Sequence, residues 1–224
     1  MYSTYESDVL PKQRSNFLFS FIFTISFLAA VQLFSIFAFF YNLIIFPFTL
    51  IHELSHCFAL NYFFPGKKAQ IEFHLFENGV TCANVKFESL SPCFGAVVSF
   101  LAGSLTVITL SVFGIIALRK FSSDYSRIGS QFLKFVLLCD IPNLFPIHPP
   151  MVNAVTDGYA ASVYLFQMGY TPFVSTDLSI LLYSIAAIIS FTAFFYLGAT
   201  VYYLLLAVKG LVLKENRSFQ PQFI

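Results

Sequence analysis

From Asn16 to Phe64 the chain is one long apolar stretch, broken only near Tyr41-Asn42 and by the polar group His52-Glu53-Leu54-Ser55-His56. A helix rises 1.5 Å per residue, so about 20 apolar residues cross the hydrocarbon core of a bilayer. The stretch therefore holds two spans, near 17–40 and 43–63. Pro47 then falls close to the start of the second span, where its missing N–H costs least. Lys12 and Arg14 precede the first run as in a signal peptide. The run is too long for such a segment and no small-residue cleavage site follows it, so it reads as a retained anchor.

Composition agrees with a lipid-facing surface. Of 224 residues 58% are hydrophobic and 10% charged, where a soluble domain carries about a quarter charged. A formal net charge of +1 offers no basic field for nucleic acid. The four cysteines (Cys57, Cys82, Cys93 and Cys139) form no CxxC pair. They read as small apolar residues rather than a disulfide set or a zinc knuckle.

Pro65-Gly66-Lys67-Lys68 ends the second span, and the period then changes. Ile71, Phe73 and Leu75 alternate with Glu72, His74 and Phe76, and Asn78-Gly79 precedes a run from Val80 to Phe87. This pattern predicts a β-hairpin over 70–88. Ser91-Pro92 opens a span over 94–118, rich in small residues (Gly95, Ala102, Gly103, Ser104) that let helices approach closely. Residues 121–130 read as a polar loop and 131–147 as a further apolar segment carrying Asp140. A short helix over 153–168 ends at Gly169 and Pro172, and a last span covers 178–208.

The expected fold is an all-α polytopic membrane protein with about five transmembrane helices and a small β-hairpin at the membrane surface. One domain spans 16–210, between polar tails at 1–15 and 211–224. Basic residues divide almost evenly between the two sides of such a bundle, so they assign no orientation.

His52 and His56 lie four residues apart on a predicted helix, so both imidazoles project from one face, about 6 Å apart along the axis. Two neutral imidazoles so placed can share one zinc ion. Glu53 stands beside the first, where it can take a proton from a zinc-bound water. Three ionisable groups within a bilayer span are costly and usually functional. A third protein ligand is needed, and Asp140, His148, Asp157 and Asp177 are the candidates in apolar surroundings. Asp157 is followed by Gly158, which permits close backbone approach, while Asp140 lies within a span.

The His-Glu-x-x-His motif in an early membrane helix, followed by Asn143-Leu144-Phe145-Pro146 and Asp157-Gly158, resembles the site-2 protease family of intramembrane zinc metalloproteases. The resemblance covers about residues 43–160. It implies that His52, His56 and Asp157 are the zinc ligands and that Glu53 is the general base. It also implies that Asn143 donates a hydrogen bond to the scissile carbonyl. The hairpin over 70–88 and Leu101-Ala102-Gly103-Ser104 look like the family's hairpin and small-residue helix. The chain differs in having Ser55 for the usual Gly, Ala-Gly-Ser for Ala-Gly-Pro, and a longer gap from Pro146 to Asp157.

The function so implied is hydrolysis of a peptide bond in a transmembrane substrate helix, as in regulated intramembrane proteolysis. The implied partners are that helix and the lipid bilayer. Two other readings stand beside it. One is a catalytically silent membrane scaffold of the same fold, against which the intact Glu53 argues. The other is a prenyl-protein protease with a glutamate as third ligand, which the lack of any Glu between Glu88 and Glu215 weakens. His74 reads as solvated on the hairpin, and His148 as a substrate contact or gate.

Overall fold

Apolar runs that can satisfy their backbone only internally become helices, and helices carry this computed structural model. It describes residues 9–33, 35–74, 79–83, 90–121, 123–147, 156–170 and 176–218. In chain order these form α1 (Val9–Leu33), α2 (Ser35–Phe63), β1 (Gln70–His74), β2 (Gly79–Ala83), α3 (Phe94–Leu118), α4 (Asp124–Asp140), a 3₁₀ turn (Ile141–Leu144), α5 (Asp157–Gln167) and α6 (Thr176–Ser218).

Among the described residues, three helices are long and apolar enough to cross a membrane: Phe39–Phe63, Phe94–Leu118 and Leu178–Gly210. This corrects the expected five. The expected first span, 17–40, is shared between α1 and α2, and Asn16–Ala30 is a shorter apolar helix. The segment at 131–147 is not a span either. Its helix, α4, carries Gln131, Lys134 and Asp140 and gives way to the 3₁₀ turn at Ile141, where Pro142 has no N–H to continue the α-helical ladder. Lys134 sets its ammonium 5.2 Å from the centre of the Tyr196 ring on α6. That polar demand is met by a packed neighbour rather than by lipid.

Other boundaries also move. α2 starts at Ser35 and runs unbroken through Tyr41-Asn42, so Pro47 sits inside the helix rather than near its start. It cannot donate to the Leu43 carbonyl. α4 starts at Asp124, inside the expected polar loop, where the Ser123 side chain accepts from the Ser126 N–H. This is an ordinary N-cap. α5 starts at Asp157, capped by Thr156, and the earlier part of the expected helix lies outside the described residues. It ends at Gly169, whose φ of 79° suits glycine.

The hairpin is present as an antiparallel pair with Gln70 opposite Ala83 and His74 opposite Gly79. Gly79 is thus a strand residue; residues 75–78 and 84–88 lie outside the described residues. Cys57 and Cys82 form a disulfide, with Cα atoms 5.8 Å apart, which corrects the reading of all four cysteines as packing residues. The chain's fold-back of β2 onto α2 brings them together, and no sequence spacing announces it. Cys93 and Cys139 are free.

Two apolar clusters flank the polar motif along α2. Cys57 and Leu60 belong to one, with Ala96 and Val97 of α3 and Ala161 and Tyr164 of α5. Phe48 and Ile51 pack against the other, built on Val107, Phe135, Val136, Ala193 and Leu197. Phe58, Phe113 and Ile188 on the long helices are about two-thirds or more exposed, as a lipid-facing surface requires.

Candidate metal centre

The motif helix is continuous through the site, and Ser55 turns its hydroxyl back to the Ile51 carbonyl at 2.7 Å. His52 and His56 therefore lie one above the other, with their Nε2 atoms 2.9 Å apart. Asp157, in the first turn of α5, faces both: its Oδ2 lies 3.2 Å from His52 Nε2 and its Oδ1 lies 3.4 Å from His56 Nε2. A carboxylate in the first turn also complements the helix dipole. One ligand atom from each of His52, His56 and Asp157 can be chosen so that all lie within 4.8 Å of one another.

The far side of each ring fixes what the near side offers. His56 Nδ1 lies 2.7 Å from the Ser99 carbonyl oxygen, which can only accept, so Nδ1 carries a proton. His52 Nδ1 lies 3.2 Å from Asp140 Oδ1, and the same argument puts a proton there. A ring that is neutral with its proton on Nδ1 turns a lone pair inward at Nε2. His52, His56 and Asp157 so arranged could hold a metal ion. The separations are 2.9 Å between the two Nε2 atoms, 3.2 Å from His52 Nε2 to Asp157 Oδ2 and 3.4 Å from His56 Nε2 to Asp157 Oδ1.

The rival third ligand, Asp140, is brought to the site in a different place. It is buried and sits behind His52, on Nδ1, the position of a carboxylate that orients a ligating histidine. Asn143 Nδ2 donates to Asp140 Oδ1 at 2.9 Å. The Ser104 hydroxyl lies 3.2 Å from Asp140 Oδ1 and 2.9 Å from Asp157 Oδ2, so one residue of α3 ties both carboxylates together.

Backbone proximity makes this possible. A Cβ at Gly103 would lie 2.5 Å from His56 Nε2 and 2.7 Å from His52 Nε2. A Cβ at Gly158 would overlap the Leu144 backbone. Thr156 fastens the same junction by donating to the carbonyls of Phe145 and Ile147, at 2.7 and 2.9 Å. The unusual gap between Pro146 and Asp157 is thus closed by this contact of α5 with the 3₁₀ turn.

A cavity of about 330 Å³ opens beside the cluster. Its polar wall is His52, Glu53, Asp140 and Asn143, and Tyr41, Phe48 and Val107 are among its apolar lining. Glu53 Oε2 accepts a hydrogen bond from the Cys82 N–H at 2.9 Å. Of the remaining sequence candidates, His148 and the side chains of His74 and Asp177 lie outside the described residues. The roles of Ser104 and of the Ser99 carbonyl have no signal in the sequence beyond the small-residue character of α3.

No family model, curated protein or solved structure matches this chain.

Proposed function

We propose that this chain is a multi-pass integral membrane protein and an intramembrane zinc metalloprotease of the site-2 protease kind, hydrolysing a peptide bond in a transmembrane substrate helix. One observation supports the reading: His52, His56 and Asp157 each bring a ligand atom within 4.8 Å of the others, with Glu53 next to them on the wall of a cavity. His52, His56 and Asp157 would hold the zinc. When bound, zinc supplies Lewis acidity, polarising a carbonyl and making water a nucleophile near neutral pH.

The chain's own residues do the rest. Glu53 takes a proton from the attacking water as the new C–O bond forms. It returns that proton to the amine as the C–N bond breaks. Asp140 holds the His52 ring in one tautomer and one orientation. Asn143 spends one amide hydrogen on Asp140, and the second is left to donate to the scissile carbonyl. The substrate helix must unwind locally, and its freed backbone groups can pair with the edge of the hairpin.

The test is cleavage of a transmembrane reporter by purified wild type and by Glu53→Gln, with zinc content measured in both. The expected result is cleavage by wild type alone and equal zinc in the two. Equal cleavage by both proteins would sink the enzyme reading.

A further inference from the structure

Glu53, Cys57 and Asn61 stand four residues apart in turn, so they form one stripe on α2. All three are fastened to the hairpin. Asn61 holds the start of β1 through two hydrogen bonds with the Ala69 backbone, at 2.8 and 2.9 Å. Cys57 is bonded to Cys82 of β2, and the N–H of that same Cys82 donates to Glu53 at 2.9 Å. Cys57 itself is buried. An isolated two-stranded hairpin is marginally stable, so these attachments decide where β2 lies.

We propose that the Cys57–Cys82 disulfide is a positioning device for Glu53, and that it makes the base redox-sensitive. The bridge fixes β2 against the Glu53 face of α2. The Cys82 N–H then holds Oε2 and leaves Oε1 to receive the proton of the attacking water. Two-electron reduction converts the bridge to two thiols and frees β2, and Glu53 loses its fixed donor. Asn61 still holds Ala69, at the same open end of the hairpin as Cys82, which pairs with Ile71, so β2 loosens from α2 without leaving it and the change is local to the base. His52, His56 and Asp157 are held by α3, α4 and α5 and keep their places. The proposal rests on the protease reading for its effect on rate, but the contact between bridge and base does not.

The experiment uses the full-length, zinc-loaded protein in detergent. A trialkylphosphine reduces the bridge, taking its oxygen from water, and it avoids the zinc chelation of dithiols. Alkylation counts the thiols before and after. The expected result is that reduction leaves zinc stoichiometry unchanged and lowers kcat about 10- to 100-fold, on the scale of a misplaced catalytic group. Reoxidation restores the rate. Cys57→Ser/Cys82→Ser stays at the low rate and ignores the reductant. The infrared difference spectrum between oxidised and reduced protein carries a shifted carboxylate band that Glu53→Gln lacks. Free Cys57 and Cys82 thiols in the air-oxidised protein would overturn the proposal. So would complete reduction that leaves rate and carboxylate band unmoved, or a reductant that lowers the rate of the double serine variant by the same factor as that of wild type. If no form cleaves any reporter, the protease reading fails and the carboxylate band alone decides the proposal.

Discussion

Gly103→Ala separates the two influences that act on α3 at the site. In a helix interior, replacing glycine by alanine ordinarily stabilises by about 0.8–1 kcal/mol. Here the added methyl would lie 2.5 Å from His56 Nε2 and 2.7 Å from His52 Nε2, where ordinary contact begins at 3.4 Å. The imidazoles must withdraw by about 0.9 Å, or α3 must move away by as much. Zinc–ligand distances hold to about ±0.2 Å, so the centre does not survive such a shift. A displacement near 1 Å is worth about 100-fold, or about 3 kcal/mol of zinc affinity. The assay is a competition titration against a chelator of known affinity, with thermal unfolding of the metal-free protein alongside. Gly210→Ala on α6 is the control, because nothing lies within 4 Å of the added Cβ. It leaves zinc binding untouched and does not lower the melting temperature. Zinc affinity in Gly103→Ala within threefold of wild type would refute the reasoning, since the methyl could then be accommodated without moving the ligands.

Asp157→Ala abolishes stoichiometric zinc, whereas Asp140→Ala weakens zinc binding about 10- to 100-fold, as loss of a histidine-orienting carboxylate does; chelator competition ranks the two, and the reverse order would make Asp140 the third ligand. Ser104→Ala removes the hydroxyl between Asp140 and Asp157 and destabilises the protein by about 1–3 kcal/mol, read as a lower midpoint in denaturant; an unchanged midpoint would show that neither carboxylate depends on it.

Much of the site was legible because short-range geometry carries it. The spacing of His52 and His56 puts both imidazoles on one face of any helix, and Glu53 follows from its place in the motif. The apolar runs at 43–63, 94–118 and 178–208 were long enough to register as spans, and each coincides with a long helix. The misses share a cause, since they depend on what packs against what. Nothing local distinguishes α4 from a span except Gln131, Lys134 and Asp140, and Lys134 and Asp140 find partners on other helices. Tyr41-Asn42 reads as the break between two spans, yet α2 runs through it from Ser35 and takes Pro47 into its interior. The Cys57–Cys82 bridge and the Glu53 contact exist only once the hairpin has folded back on α2. Asp140 and Asp157 could not be ranked from sequence, because both carboxylates reach His52 and only the ring nitrogen each one meets tells them apart.

X-ray absorption at the zinc edge of the purified wild-type protein tests the three-residue centre most directly. The account predicts one zinc per chain, with nitrogen and oxygen neighbours at about 2.0–2.2 Å, the outer scattering of two imidazoles, and no sulfur. A protein that binds no stoichiometric zinc, or a sulfur neighbour at about 2.3 Å, would contradict it.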